Sequence, residues 1–220
     1  MKTQKNIKKI LLFGAGEGSQ ELLRIIIDDI NKISYSWKVI GFIDKDLSKR
    51  GAIVSGVPVI GDKYDQAPDN IYGICGVMNN EIRKKITEEE IIGKGFSLAT
   101  LVHPSVIKTA DFIPSPGLVV YPGSHISYNV RLGKGVFVNY NCLLGHDLAV
   151  GDYTFFGPSA TIPGGCKIGK LCTIGAGVNL LQGISIGDGS TIGIGTTLFK
   201  DIGENKLVMD LPRHIENDKK

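Results

Sequence analysis

From Val120 to Leu198 every sixth residue is apolar, with no exception and no insertion. The series runs Val120, Ile126, Leu132, Val138, Leu144, Val150, Phe156, Ile162, Ile168, Ile174, Leu180, Ile186, Ile192, Leu198. A helix would repeat at about 3.6 residues and a half-buried strand at about 2, so a strict period of six belongs to neither. Two positions before each apolar residue stands a small or aliphatic one, as at Ser124, Val136, Cys142, Thr154, Ala160 and Val178. Glycine follows the apolar residue at 133, 145, 151, 157, 169, 175, 187 and 193, which suits a tight corner with unusual backbone angles. Each hexad therefore predicts one short flat strand plus a corner, with two side chains directed inward. Such a unit cannot bury its apolar face alone, so the units must stack into a parallel β-helix. The unbroken register also predicts that no loop interrupts the coils between Val120 and Leu198.

The first hundred residues follow a different pattern. Residues 9–13 predict a buried strand, 14–19 a glycine-rich turn, and 20–32 a helix carrying Leu22, Leu23, Ile26, Ile27 and Ile30. A second strand over 37–43 ends at Asp44, and 46–56 has the composition of a surface loop. Further strands are expected over 57–60 and 71–77, a helix over 81–92, and a lead into the solenoid over 96–102. Strand, turn, helix, strand is a βαβ unit on a parallel sheet. The expected division is a Rossmann-like α/β domain over 1–100, a β-helix over 101–200, and a closing segment with a tail over 201–220.

Composition narrows the function. The 220 residues are 42% hydrophobic, enough for a core in each half, and the net charge of +3 is interspersed rather than gathered into a nucleic-acid surface. Lys2, Lys5, Lys8 and Lys9 precede an apolar run of only four residues, too short for a signal-peptide core or a membrane span, so a cytoplasmic protein is expected. Cys142, Cys166 and Cys172 fall in the inward small-residue slot and Cys75 in a buried strand; they are expected to pack rather than bind metal.

A glycine turn opening a helix offers free backbone N–H groups to a phosphate, and an acid ending the next strand can reach a ribose or a base. Ser19 stands where a dinucleotide fingerprint wants Gly or Ala, and the chain is too short for two mononucleotide-binding halves, so one nucleoside diphosphate is the expected size. The plainer alternative is that the glycines only allow close strand–helix packing. In the solenoid the register puts His146 on the outer wall beside Asp147, which can orient the imidazole or stabilise its charged form. That makes His146 a candidate general base; the alternative is an ordinary solvated histidine. Asn139, seven residues before His146 and also just past an apolar position, is expected nearly one coil back from it. His103 at the domain junction could cap the solenoid, His125 sits at a corner, and His214 lies in the charged tail.

The glycine-turn domain, Ile43-Asp44, Gly56-Val57-Pro58-Val59-Ile60-Gly61, Val102-His103-Pro104-Ser105 and Gly145-His146-Asp147 together resemble one group of hexapeptide-repeat sugar acyltransferases. These are the nucleotide-sugar 4-amino N-acetyltransferases and the sialic acid O-acetyltransferases. The resemblance runs over nearly the whole chain and implies a left-handed β-helix, a homotrimer with active sites between adjacent solenoids, and acetyl-CoA as donor. It implies His146 as base, Asp147 as its partner and Asn139 near the reacting centre. It places Gly164, Gly175 and Gly193 along the CoA groove, Ala176 against the pantetheine arm, and Lys200 and Arg213 near the CoA phosphates. In the first domain it sets Gly14, Gly16 and Gly18 at the pyrophosphate of a nucleotide sugar, with Asp44 and Asp46 near its ribose or base. O-acetylation of a sialic acid is the alternative activity; a metal hydratase would need three convergent histidines, and no such spacing is present. Two positions depart from the group: Phe155, where some relatives carry a second His, and Met209-Asp210-Leu211-Pro212, which replaces Val-Gly-Val-Pro.

Overall fold

The computed structural model describes residues 7–33, 37–61 and 67–210. Its first part is a parallel sheet of β1 (Lys8–Phe13), β2 (Trp37–Ile43), β5 (Ile71–Cys75) and β6 (Ser97–Leu98), in the order β2-β1-β5-β6. β1 is central and pairs on both sides, and Ile10, Leu11 and Leu12 are fully buried, as a strand covered on both faces requires. Helix α1 (Glu17–Arg24) continues as a π-helical stretch (Ile25–Ile30) into α2 (Asn31–Ile33). It starts three residues earlier than expected, so Gly18 and Ser19 belong to its first turn. On the other side of β5, α3 (Asn80–Lys85) runs on as π-helix (Ile86–Ile92), with the Asn79 side chain accepting from the Ile82 N–H at 3.0 Å.

The expected loop over 46–56 is more ordered than its composition suggested. Asp46 caps a 3-10 turn (Leu47–Lys49), and β3 (Ile53–Val54) pairs antiparallel with β4 (Val57–Pro58). Ser55 and Gly56 between them have φ of 49° and 81°, the two left-handed residues of a tight hairpin turn whose twist matches its strands. That Ser-Gly pair was the overlooked signal. Of the strand expected over 57–60, only the first two residues form the hairpin; Val59 bridges to Phe42.

From Leu101–Val102 to Leu207–Val208 the chain is a left-handed parallel β-helix of three sheets. The first face stacks Val119, Phe137, Phe155 and Thr173 at eighteen-residue steps, one coil each. The second carries His125, Leu143 and Thr161, and the third Arg131, Ala149 and Lys167. All fourteen residues of the apolar series are buried, and so is the residue two before each. No loop breaks the coils between Val120 and Leu198. Beyond them Leu207 pairs with Thr191, sixteen residues back, so the last coil is two residues short.

The corner glycines need a different explanation from the expected one. Left-handed backbone falls three residues after each apolar position, at every sixth residue from Gly117 to Gly195, and Asn129, Asn141, Asp147, Tyr153, Ser159 and Leu171 occupy it too. The glycines directly after the apolar residue are not left-handed. They are small because the next coil passes over them: a Cβ on Gly145 would lie 2.6 Å from the Gly164 nitrogen.

The α/β domain docks on the first face. Val119, Tyr121 and Phe137 share a core with Ile10, Leu12, Leu22 and Ile26. The buried Arg83 guanidinium donates to the carbonyls of Tyr153 (2.7 Å), Met78 (2.8 Å) and Gly135 (3.2 Å), while Asn80 donates to the Cys172 carbonyl at 2.8 Å. Glu88 adds an ion pair to Lys134 and accepts from the Tyr153 hydroxyl, both at 2.6 Å. Phe155 lies on this face, tilted against Phe137 at 5.8 Å, so it serves domain docking.

Candidate functional site

His146 sits at the vertex between the second and third faces, opposite the docked domain. Its Nδ1 is 2.8 Å from Asp147 Oδ2, and the other oxygen of Asp147 accepts from Asn129 Nδ2 at 2.6 Å. The Asn129 amide, then the His146 bond, holds the Asp147 carboxyl below the usual aspartate range, so it is ionised at neutral pH. Against an ionised acceptor the neutral ring carries its proton on Nδ1, the tautomer that would leave the Nε2 lone pair for another partner. The Tyr128 ring stacks on the imidazole at 5.2 Å and 7°. On the next coil Gly164 lies against the ring; a Cβ there would overlap Nε2, Cε1 and Cδ2. The Gly164 N–H has no acceptor among the described residues. The side chains of His146 and Asp147 are 41% and 47% exposed, so the pair faces outward and is open to a ligand.

The other solenoid residues divide between two vertices. Gly164 and Lys200 stand in the His146 column, one and three coils on. Asn139, Gly175, Ala176 and Gly193 stand at the vertex between the first and second faces, on the far side of the strand Leu143–Leu144 and its stacked neighbours. One chain therefore does not bring Asn139 to His146. Gly175 is pressed against the backbone of Gly193 and Ile194, and Met209 covers Gly193. Arg213 and His214 lie outside the described residues.

His103 is buried, with Nδ1 2.8 Å from Ser105 Oγ and Nε2 3.4 Å from Asp29 Oδ2, so it joins the two domains. His125 is on a strand of the second face rather than at a corner. The four cysteines are free and buried; burial pushes the Cys75 and Cys142 thiols up to about 11, which removes them as nucleophiles. Among the described residues no three His, Cys, Asp or Glu gather as a metal site.

In the first domain a cavity of about 630 Å³ opens at the carboxyl ends of β1 and β2, where parallel sheets place ligands. Gly14 and Gly16 line it, and Gly16 begins α1 with no side-chain cap. The N–H groups of the helix's first turn are thus left to face an anion. Asp44 also lines the cavity, its carboxylate accepting from the Ala15 N–H (2.8 Å), the Asp46 N–H (2.9 Å) and Lys49 (3.2 Å). Burial would raise its pKa, but these donors together outweigh that and keep it low. Two expected residues are elsewhere. Gly18 lies against the Gly76 carbonyl and Met78, where a Cβ would not fit, and Asp46 caps the 3-10 turn outside the lining. Buried Ser19 is accommodated because Gly76 faces it.

Sequence reasoning missed Tyr128 and Asn129. Their signal was available: each precedes a member of the His146–Asp147 pair by one coil of eighteen. It also missed Glu90, which lines the cavity with ion pairs to Lys45 (2.7 Å) and Lys94 (3.0 Å). Only the fold brings a residue of the second helix opposite the end of β2.

Both halves match known families. Residues 9–89 match the PglD N-terminal domain, and residues 149–182 the bacterial transferase hexapeptide repeats. GDP-perosamine N-acetyltransferase of Escherichia coli O157:H7 is 28% identical over 155 residues, 70% of this chain and 69% of that one. PerB from Caulobacter crescentus, solved in complex with CoA and GDP-perosamine, has the same fold: TM-score 0.79 at 22% identity, over 98% of this chain and 100% of that one. The acetyltransferase domain of PglB from Neisseria gonorrhoeae, solved with acetyl coenzyme A, aligns with TM-score 0.74 at 26% identity, over 93% and 97%. The chain thus joins a PglD N-terminal domain to bacterial transferase hexapeptide repeats, and over most of its length it is similar to sugar N-acetyltransferases.

Proposed function

We propose that this protein transfers the acetyl group of acetyl-CoA to the amine of a nucleotide-linked 4-amino-4,6-dideoxy sugar destined for a surface glycan or glycoprotein, with His146 as general base. The observation that carries the reading is the His146–Asp147 pair: Nδ1 tied to an ionised carboxylate and Nε2 free at an open vertex, in a chain whose other domain holds a cavity with an uncapped helix N-terminus. The relatives solved with CoA, acetyl-CoA and GDP-perosamine support the donor and the acceptor class.

The amine nitrogen attacks the thioester carbonyl carbon while His146 Nε2 takes one of its protons. Asp147 stabilises the imidazolium so formed, and the Gly164 N–H, which has no acceptor among the described residues, is a backbone donor for the developing oxyanion. As the carbon–sulfur bond breaks, the imidazolium returns its proton to the leaving thiolate. With the cysteines buried there is no covalent carrier in this scheme, and transfer is direct.

A chain's own cavity and its own His146 stand on opposite sides of its prism. A second copy must therefore complete each site, and Asn139 with Gly175, Ala176 and Gly193 would face the His146, Gly164 and Lys200 column of a neighbour. A homotrimer closes such a heterologous arrangement. The reading predicts that His146→Ala lowers kcat by about two to four orders of magnitude. Gly16→Trp, at a position where a Cβ would meet no protein atom within 4 Å, should fill the cavity and lose acceptor binding alone. Unfolded together and refolded, the two inactive variants should recover about a quarter of wild-type thiol release, because mixed trimers contain intact sites. No recovery would refute the shared site, and full activity in His146→Ala would refute the base.

A further inference from the structure

The His146–Asp147 pair rests on a ladder that continues down the vertex. Asp111, Asn129 and Asp147 occupy the same turn position in successive coils, eighteen residues apart. Asn129 and Asp147 are both left-handed, with φ of 53° and 55°. The Asn129 N–H donates to Asp111 Oδ2 at 3.0 Å, and Arg131 reaches Asn129 Oδ1 at 3.5 Å. With its oxygen turned to Arg131, the Asn129 amide presents its N–H to Asp147 Oδ1. Tyr128, the neighbouring residue, supplies the flat surface under the imidazole.

We infer that Asn129 and Tyr128 are positioning residues for the acetyl transfer, Asn129 fixing the Asp147 carboxylate and Tyr128 the plane of the ring, so that Nε2 is aimed at the acceptor amine. The inference rests on the reading of His146 as base. Asp147 is half-exposed, and alone its carboxylate would rotate freely between solvent and Nδ1. Bonded at one oxygen by Asn129, it keeps the other for His146. The rung requires an uncharged donor, because aspartate there would set a second carboxylate against the first. The groups facing His146 are Asp147 and Tyr128, with Asp111 and Arg131 reached through Asn129. The coil above brings Pro163, Gly164 and Gly165, none of them charged.

Glycine is native to this turn position in neighbouring hexads, at Gly123, Gly135 and Gly165, so Asn129→Gly removes the side chain without straining the backbone. Expected in the full-length enzyme is a kcat lower by about tenfold to a hundredfold, by analogy with the partners that orient metal-bound histidines. The KM values for both substrates and the melting temperature should hold. The acid limb of the kcat/KM profile should move to lower pH, since an unanchored carboxylate supports the imidazolium less. Asn129→Asp, nearly isosteric, should lose more activity and move the acid limb the other way, the added negative charge favouring the protonated ring. Wild-type kcat and pH profile in both variants would overturn the inference, as would a loss of kcat that follows falling stability with the acid limb unmoved. His146→Ala is measured alongside: inactivity there with an unaffected Asn129→Gly removes only the inference, whereas activity there removes the base as well.

Discussion

Replacing Gly164 by alanine puts a methyl group where the His146 ring lies. Gly164 is not left-handed, so alanine brings no backbone strain, and the effect is confined to that contact. The added Cβ would stand 2.7 Å from His146 Cδ2 and closer still to Cε1 and Nε2, whereas ordinary contact begins at 3.4 Å. The ring must therefore retreat by about 1 Å, a displacement that near reacting atoms costs on the order of a hundredfold in rate. That corresponds to about 2.7 kcal/mol of transition-state stabilisation. Since the His146 side chain is 41% exposed, it can swing outward into water, and the melting temperature should hardly change. The assay is continuous thiol release at saturating acceptor, with kcat and the acetyl-CoA KM determined separately. Displacing the base lowers kcat, whereas a glycine needed only to admit the pantetheine arm would raise KM. Wild-type kcat in Gly164→Ala, or a change in KM alone, would refute the argument that this glycine seats the imidazole.

The docking surface offers further tests. Hydrogen bonds from Lys134 and Tyr153 hold the Glu88 carboxyl below the usual glutamate range. A depressed folded-state pKa contributes stability that is complete above the unfolded value and disappears as pH falls through the folded one. Acid titration of the melting temperature should show that loss below the ordinary glutamate range, and Glu88→Gln should remove it. Burial pulls the Arg83 guanidinium down to about 10, yet it still carries its charge at neutral pH into contacts with several carbonyls. Arg83→Met should cost about 3 kcal/mol by leaving those carbonyls unpaired, and limited proteolysis should then release the first domain from an intact β-helix. In the cavity, Glu90→Gln should weaken nucleoside diphosphate binding in calorimetry, by releasing Lys45 and Lys94 from their ion pairs, while leaving acetyl-CoA binding unchanged; equal affinity would show that Glu90 does not shape the nucleotide site.

The solenoid was legible in the sequence because its physics is local and repeated. One inward apolar residue in six and a small one two places before it recur without interruption, and every predicted inward side chain is buried. The same register put His146 on the outside beside Asp147, and β1, the glycine turn and β2 followed from a buried run, turn chemistry and a second run. Tertiary structure decided what depends on distance across coils and between domains. It showed that the corner glycines make room for the adjacent coil, while the left-handed turn falls three residues after the apolar position. It stacked Tyr128 and Asn129 against the His146 pair, carried Glu90 to the nucleotide-sized cavity, and sent Gly18 and Asp46 to packing and capping. It also separated Asn139 from His146 by a whole face of the prism. Hexad register fixes which side of the wall a residue occupies, but three coil faces share one pattern, and only their closure into a prism assigns each residue to a vertex.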